Sequence, residues 1–316
     1  MVSIFLMLLD HFKQYINLVH FLFRVFMQNN VLLGICLMVV TTFMFSAMDG
    51  VSRFLAERNN VFTLVTMRYW FIAMIMIISC LFLKNSLTKI LYTKQPYKQF
   101  TRGLILSLNN CLVVYTFTLL GLVETHAIIA CYPLIVAGLS VPFLGEKFGW
   151  KRWTAIFVGF VGVIIILRPT TNIISEGSIF ALIGAVMFAV YLILTRYVSR
   201  QDSAITSFFW TGIGGTVTMS IISLFIWNNI LEEDYLWLFI MCLLSASSHF
   251  MMVKTLQVAE ASVIQPFSYL QLVFGSIIGV TIFSESINSM IVIGVIVVIG
   301  SGLFTTWREY KKKYNI

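Results

Sequence analysis

A small number of ionisable side chains lie inside long apolar stretches of this sequence, where a charge is costly. Asp49 and Arg68 lie in the first two such stretches. Each is about six residues from the same end of its stretch, which is roughly 9 Å of depth at 1.5 Å per residue, so the two could meet. We expect either that Asp49 attracts a cationic substrate group, or that Asp49 and Arg68 form a gate, or that they form an ion pair that only clamps two helices.

His249, in the eighth apolar stretch, is a candidate of a second kind. Histidine changes its protonation state near neutral pH, so a histidine inside a carrier could couple transport to protons. The structural alternative is a buried histidine whose ring nitrogens are satisfied by neighbouring groups. Both interpretations place His249 inside the protein.

Uncharged polar and aromatic residues in other apolar stretches could line a binding cavity. Carriers bind with apolar walls and a few placed polar groups, and aromatic faces suit planar or cationic ligands. The same aromatic types also anchor helices at the membrane surface, so Trp210, near the end of a stretch, is open to both interpretations. The candidate cavity residues are Asp49, Asn109, Asn110, Tyr115, Tyr132, Tyr191, His249, Gln265, Tyr269 and Gln271.

The elements that must position these residues are membrane-spanning helices. The chain has 316 residues, of which 59% are hydrophobic and 11% charged, and its mean hydropathy is +0.93. A soluble domain is about 45–50% apolar and about 25% charged. All five cysteines lie in apolar runs with no CxxC spacing, so the sequence indicates no disulfide framework, no metal site and no cofactor.

Apolar runs between polar breaks predict ten spans, since a spanning helix needs about 20 apolar residues. Glu124 and His126 flank the turn predicted between the third and fourth spans, and we expect them at the outer membrane surface. The predicted spans are 31–52, 63–83, 103–123, 125–144, 153–167, 178–198, 205–227, 235–253, 261–283 and 288–306.

The distribution of basic residues predicts the orientation. With a cytoplasmic N-terminus, 17 of the 21 lysine and arginine residues fall in cytoplasmic segments and three in outer segments, with Arg68 inside a span. Cytoplasmic loops carry such an excess. We therefore expect both termini to be cytoplasmic, with 307–316 as a basic cytoplasmic tail. This distribution explains the net charge of +8 and excludes nucleic acid as a partner.

Residues 1–28 differ from the spans. Polar residues between Asp10 and Arg24 recur at helical spacing opposite an apolar side, which predicts an amphipathic helix on the inner membrane surface. A small-residue cleavage site is missing, so we expect no removable signal peptide. The alternative is that translation starts at Met27.

An internal repeat divides the chain into 31–170 and 175–306. Ser-Arg-Phe at residues 52–54 recurs 143 residues later as Thr-Arg-Tyr at residues 195–197. Phe-Leu-Gly-Glu, which ends at Glu146, recurs 139 residues later as Ile-Phe-Ser-Glu, which ends at Glu285. Each half holds five predicted spans, and five is odd, so the second half lies inverted relative to the first. Inverted repeats are typical of alternating-access carriers. The predicted fold is thus an all-α polytopic membrane protein of two inverted five-helix repeats.

Several short motifs, in order along residues 30–306, resemble the EamA family of the drug/metabolite transporter superfamily. The fourth, fifth and ninth predicted helices carry them. The matching residues are Pro133 and Gly145-Glu146, then Arg152-Trp153-Thr154-Ala155, Val158 to Ile164 and Leu167-Arg168-Pro169, and finally Ala261-Ser262-Val263, Pro266-Phe267 and Tyr269.

This resemblance implies a secondary transporter in the cytoplasmic (inner) membrane that moves a small organic metabolite by alternating access. The ninth-helix stretch is most similar to the branch that takes up S-adenosylmethionine, and amino acids or related cationic or amphipathic compounds are further substrates that the resemblance implies. Two other functions stay open. One is a lipid flippase or scramblase of the same fold, and the other is an intramembrane enzyme.

The sequence also bears on catalysis and on binding partners. The sequence has no HExxH, P-loop, GxSxG or paired-carboxylate motif, which argues against an enzyme. The expected partners are a small-molecule substrate and membrane lipid. Proton coupling remains open, as does a homodimer through the GxxxG motif of Gly275 and Gly279.

Overall fold

The structure is a computed structural model that describes residues 30–82, 91–145, 150–167, 175–259, 264 and 267–313. These residues form α-helices and one short 3-10 helix, Glu232–Asp234, and no β-strand occurs among them. The amphipathic helix predicted for residues 1–28, and the candidate Gln265, lie outside the described residues.

Ten α-helices follow one another within the described ranges. Short connections join most of them, which is typical of a helical membrane protein. They are α1 (Asn30–Ala56), α2 (Val61–Phe82), α3 (Pro96–Ile129), α4 (Tyr132–Leu144), α5 (Trp150–Leu167), α6 (Glu176–Val198), α7 (Ala204–Ile226), α8 (Tyr235–Val258), α9 (Leu270–Phe283) and α10 (Ser289–Lys313).

Most of these helices are long and apolar enough to cross a membrane. Six of them meet this condition by length and composition: α1, α2, α3, α6, α7 and α8. The helices α4, α5, α9 and α10 contain shorter apolar segments. The described chain is therefore an all-helical protein with several membrane-spanning helices.

The α3 helix reverses direction at Gly121. This residue has φ 81° and ψ 179°, which is outside the helical region and accessible mainly to glycine. The hydroxyl of Thr125 donates to the carbonyl oxygen of Thr116 at 3.4 Å. In a continuous helix, residues nine apart would be about 13 Å apart. The turn between the third and fourth predicted spans therefore lies at Gly121, before Glu124.

Two of the shorter helices begin after a break. The chain turns at Ala130 and Cys131 before α4, which starts at Tyr132. In the second half, Tyr269 is the residue before α9. A tyrosine stands at the start of α4 and just before α9, in corresponding parts of the two halves, and both tyrosines are buried.

Helices of the first half pack against helices of the second half in corresponding pairs. The α1 helix packs against α8 and α9, and α6 packs against α3 and α4. The α2–α7 and α5–α10 pairs join the two halves directly. Glycine allows the closest of these approaches, because a Cβ added to Gly162 on α5 would lie 2.8 Å from the carbonyl oxygen of Gly294 on α10.

Candidate functional site

A cavity lies between helices of the two sequence halves. Its volume is about 50 Å³, far below the roughly 300–1,000 Å³ of a typical ligand pocket. Residues of α1, α3, α4, α6, α8 and α9 line it. The polar lining residues are Asp49, Asn109, Asn110, His126, His249 and Gln271, and the aromatic ones are Phe45, Tyr132 and Phe188.

Asp49 supplies the carboxylate of the cavity. Its side chain comes from α1 and is almost fully buried. The Gln271 side-chain amide on α9 donates to Asp49 Oδ2 at 3.2 Å, and Nε2 of His126 lies 3.5 Å from the same oxygen. Ser46, one turn earlier on α1, donates to the backbone carbonyl of Gln271 at 2.9 Å, which fixes α9 against α1.

His126 lies in the cavity wall and not at the membrane surface, so our expectation for this residue was wrong. The early reversal at Gly121 carries His126 more than one helical turn inward, where only 4% of it is exposed. Gly275 on α9 makes room for the ring, since a Cβ there would lie 2.4 Å from His126 Cδ2. Glu124, nearer the reversal, is half-buried.

Several buried polar atoms around the cavity have no hydrogen-bond partner among the described residues. They include Oδ1 of Asn109 and both ring nitrogens of His249. The ring of His249 meets Phe45 edge-on, with 5.0 Å between the ring centroids. Buried polar groups are nearly always hydrogen-bonded, so these atoms are suited to contact a ligand or water that occupies the cavity.

Arg68 and Asp49 do not form a direct ion pair. The Arg68 Nε donates to the Ser245 hydroxyl at 3.1 Å, and its Nη2 lies 3.1 Å from the Met48 sulfur. The side chain of Asp49 is directed to Gln271 instead. The ion pair considered from the sequence is therefore wrong as a direct contact, although both residues are buried in the same region.

Aromatic rings form the other walls. Tyr132 and Phe188 meet edge-on at 5.0 Å between centroids. Asn110, which is half-buried, donates from its side-chain amide to the Tyr69 hydroxyl at 3.0 Å. The cavity therefore combines one carboxylate, two imidazoles, side-chain amides and aromatic faces, which together suit a cationic or polar organic molecule.

Four of the described candidate residues do not line the cavity: Tyr115, Tyr191, Trp210 and the buried Tyr269. Tyr115 is 43% exposed and packs beside Phe180. Tyr191 is fully buried, but its ring lies 5.6 Å from the guanidinium carbon of Arg102 and does not line the cavity. Trp210 donates from its indole to the Leu91 carbonyl at 3.1 Å, at the end of α7. Helical spacing alone did not distinguish these faces.

Arg102 is fully buried, although the sequence placed it in a cytoplasmic segment. It donates to the Thr195 hydroxyl at 3.1 Å and to the Ser207 carbonyl. Its Nε has no partner among the described residues. Arg102 therefore ties α3 to α6 and α7 near one end of the bundle.

A charged cluster lies at the end of the bundle where α3 reverses at Gly121. The Glu285 carboxylate accepts hydrogen bonds from the backbone N–H groups of Leu122 and Val123, at 2.8 and 2.7 Å, and forms an ion pair with Arg53. Arg53 also lies over the Phe283 ring, 4.2 Å from its centroid. We call Arg53, Glu285 and the two N–H groups the Glu285 cluster. It joins α1, α3 and the end of α9.

Two further contacts join loops at opposite ends of the bundle. At one end, Asp234 before α8 accepts from the Asn59 amide at 2.7 Å and from Arg58 at 2.8 Å. At the other end, Asp202 before α7 accepts from the Thr93 hydroxyl at 2.6 Å and from Gln99 at 2.8 Å. Asn59 and Asp202 are 143 residues apart, which is the repeat offset.

Only some of these residues could be predicted from the sequence. Arg53 and Glu285 belong to the repeated motifs, so the repeat pointed to both without indicating that they meet. His126 was missed because hydropathy set the turn three residues too late. Met48 and Phe188 are ordinary apolar residues in sequence, and only the geometry brings them to the cavity.

The chain matches the model of the EamA-like transporter family over residues 32–168 and again over 175–307. The two matches together cover most of the chain and coincide with its two halves. The chain belongs to this family. EamA-like proteins are polytopic transporters, so this is a multi-pass membrane protein that transports a small molecule, and it is not an enzyme.

Similar proteins have transporter names. The S-adenosylmethionine uptake transporter of Rickettsia prowazekii is 24% identical over 278 residues, which cover 88% of this chain and 94% of that protein. Its counterpart in Rickettsia felis is 26% identical over 84% of this chain and 90% of that protein. The riboflavin transporter of Rhizobium johnstonii is 22% identical over 89% and 93%.

A solved structure shares the fold. A protein crystal structure superimposes with a TM-score of 0.63, covering 89% of this chain and 97% of that one, at 12% sequence identity. At this identity the likeness concerns the fold alone. The family match, the named relatives and the apolar helices identify a multi-pass protein of the inner membrane.

Proposed function

We propose that this EamA-like transporter takes up S-adenosylmethionine or a closely related cationic metabolite through the central cavity. The observation that carries the proposal is the buried Asp49 carboxylate, which faces His126 and Gln271 in a cavity with aromatic walls. A sulfonium or ammonium group would be attracted to this carboxylate, and an adenine ring would stack on Phe188 or Tyr132. The relatives named for S-adenosylmethionine uptake support this choice.

The transport mechanism in this proposal is alternating access between two inverted repeats of five spans. The corresponding helix pairs support it: α1 of the first half packs against α8 and α9 of the second, and α6 of the second half packs against α3 and α4 of the first. In this arrangement α3 contributes two antiparallel arms, and its second arm continues into α4 as the fourth span. Two repeats that exchange conformations would open the cavity to one side and then to the other.

In the proposed orientation both termini are cytoplasmic and the Glu285 cluster is on the outer side. The distribution of lysine and arginine supports this assignment. Because the cavity is small, the geometry corresponds to a contracted state that must widen before a metabolite enters. Breaking the Glu285 cluster would be part of opening toward the outside. His126 beside Asp49 would allow proton coupling in the same site.

Uptake of labelled S-adenosylmethionine into proteoliposomes tests the proposal. Wild type is expected to show saturable uptake, and Asp49→Asn to lose most of it because the neutral amide does not attract a cation. Glu233→Gln, a change at an exposed carboxylate away from the cavity, is the matched control and should keep wild-type uptake. Unlabelled amino acids and riboflavin serve as competitors. No saturable uptake, or equal uptake by Asp49→Asn, would overturn the proposal.

A lipid flippase or scramblase is the second candidate, and one observation favours it. An apolar groove of about 450 Å³ runs between α9 and α10 and includes Ile277, Val280, Ile291 and Val295. A groove of this volume would admit part of an acyl chain from the side. Reduction of fluorescent phospholipids by dithionite in proteoliposomes distinguishes the two functions, since a scramblase exposes lipid of both leaflets while a metabolite carrier exposes only the outer one.

A further inference from the structure

Arg68 is a buried cation whose contacts are all neutral. Only 1% of the residue is exposed. Its side-chain hydrogen bonds go to the Ser245 hydroxyl and the Met48 thioether, and among the described residues no carboxylate forms an ion pair with it. A buried guanidinium ordinarily has an anionic partner, because taking an unpaired charge out of water is costly. Arg68 therefore lacks an anionic group in direct contact among the described residues.

Met48 separates Arg68 from the cavity. The methionine lines the cavity and its sulfur lies 3.1 Å from Arg68 Nη2. A thioether is a weak acceptor, and methionine is unbranched with several rotatable bonds. A rotamer change at Met48 would bring Nη2 into contact with the cavity at little cost. An anionic ligand group could then replace the sulfur as the partner of Arg68.

The carboxylate of Asp49 lies next to this position. Met48 and Asp49 are consecutive on α1, and Arg68 is close enough to act electrostatically on Asp49 without contacting it. The cavity therefore has an anion and a concealed cation side by side. This order of charges is complementary to an α-amino acid, in which an ammonium and a carboxylate are attached to one carbon.

We propose that Arg68 is the carboxylate-binding residue of the cavity, reached when Met48 moves aside, and that the transporter recognises the α-amino acid group of its substrate. Asp49 binds the ammonium group and Arg68 binds the carboxylate. The assignment rests on the proposed function in that both use the same cavity. It goes further because it predicts that the transporter binds ligands with an α-amino acid group more tightly than ligands without one.

Matched ligand pairs test the carboxylate requirement directly. Binding of S-adenosylmethionine is compared with binding of its decarboxylated form, and methionine is compared with 3-methylthiopropylamine, all on the purified full chain by isothermal titration calorimetry. Each pair differs only in the carboxylate. Wild type is expected to bind the carboxylate-bearing member about 10- to 100-fold more tightly, the range for one hydrogen bond to a charged group.

Two variants change the ratio of the two affinities in opposite directions. Arg68→Gln is expected to bring the ratio to about one while leaving the decarboxylated ligands bound as in wild type, and Arg68→Lys should restore part of it. Met48→Ala removes the side chain that must move, so the ratio should rise by about threefold or more. Met38→Ala, at a similarly buried methionine of α1, is the control and should leave the ratio unchanged.

The outcomes separate this inference from the proposed function. Equal binding of both members of each pair by wild type would overturn the role of Arg68, while saturable uptake of S-adenosylmethionine would still stand. Discrimination in the methionine pair without uptake of S-adenosylmethionine would support Arg68 and overturn that substrate. If Arg68→Gln does not fold, an unchanged ratio in Met48→Ala overturns the inference. The inference is also overturned if neither S-adenosylmethionine nor methionine binds at millimolar concentration.

Discussion

Glu285→Gln is the change that most directly tests how the bundle closes at one end. The carboxylate accepts from Leu122 and Val123 and pairs with Arg53. Glutamine keeps one acceptor oxygen, so one N–H loses its acceptor, and Arg53 loses its buried counter-charge and keeps only the more exposed Glu57. A hydrogen bond to a charged group contributes about 1.5–3 kcal/mol, and the Arg53 and Glu285 side chains are only 14% and 13% exposed, so solvent screens them little.

We therefore expect the closed arrangement to lose about 3 kcal/mol, which corresponds to roughly a hundredfold change in the opening equilibrium. The matched control is Glu57→Gln. Glu57 contacts the same arginine at 3.4 Å, but its side chain is 49% exposed and the pair is four residues apart on one helix. Such a pair contributes about 0.3–0.5 kcal/mol, so the control should shift opening by about twofold.

The assay is labelling of a single cysteine in the cavity by a membrane-impermeant thiol reagent. Val113→Cys provides the cysteine, in a chain whose five native cysteines are replaced by alanine. The reagent is added on the side of the Glu285 cluster. Faster labelling in Glu285→Gln than in Glu57→Gln is expected, with thermal unfolding measured alongside to detect general destabilisation. Equal labelling rates in the two variants would refute our account of this cluster as the closure.

The glycines provide two further tests. Gly275→Ala puts a methyl group against the His126 ring, so we expect uptake to fall about tenfold or more. The control Gly138→Ala should transport as wild type, because a Cβ added there meets nothing within 4 Å. Equal loss of uptake in both variants would contradict the contact between Gly275 and His126. Gly162→Ala crowds a backbone carbonyl of α10 and should destabilise the protein by about 1–3 kcal/mol in a thermal unfolding assay. The control Gly300→Ala should leave the stability unchanged. Unchanged stability of Gly162→Ala would contradict the α5–α10 contact.

Hydropathy predicted the helices because membrane spans are long and uniformly apolar, but it could not find the reversal at Gly121. Both arms of α3 are apolar, so composition does not change at the turn. The deciding feature is a positive φ that glycine adopts without strain. An error of three residues there is enough to put His126 at the surface instead of beside Asp49.

The candidate cavity residues were predicted unevenly for a related reason. Asp49, Asn109 and His249 line the cavity, and a charged or strongly polar side chain has few other places in an apolar helix. Tyrosine tolerates both the lipid surface and the interior, so sequence could not separate the exposed Tyr115 from the cavity-lining Tyr132. Contacts between distant segments, such as Gln271 with Asp49, depend on packing that periodicity does not report.

The two loop contacts at Asp234 and Asp202 lie at opposite ends of α7. The first joins the loop before α2 to the loop after α7, and the second joins the start of α3 to the loop before α7. Between them, Tyr69 on α2 packs so tightly on Gly215 of α7 that a Cβ there would lie 2.0 Å from the ring. We expect helices that are held at both ends and in the middle to move least during transport. Under the proposed alternating access, the opening of the cavity then falls to other helices, such as α9 and α10, which line the apolar groove.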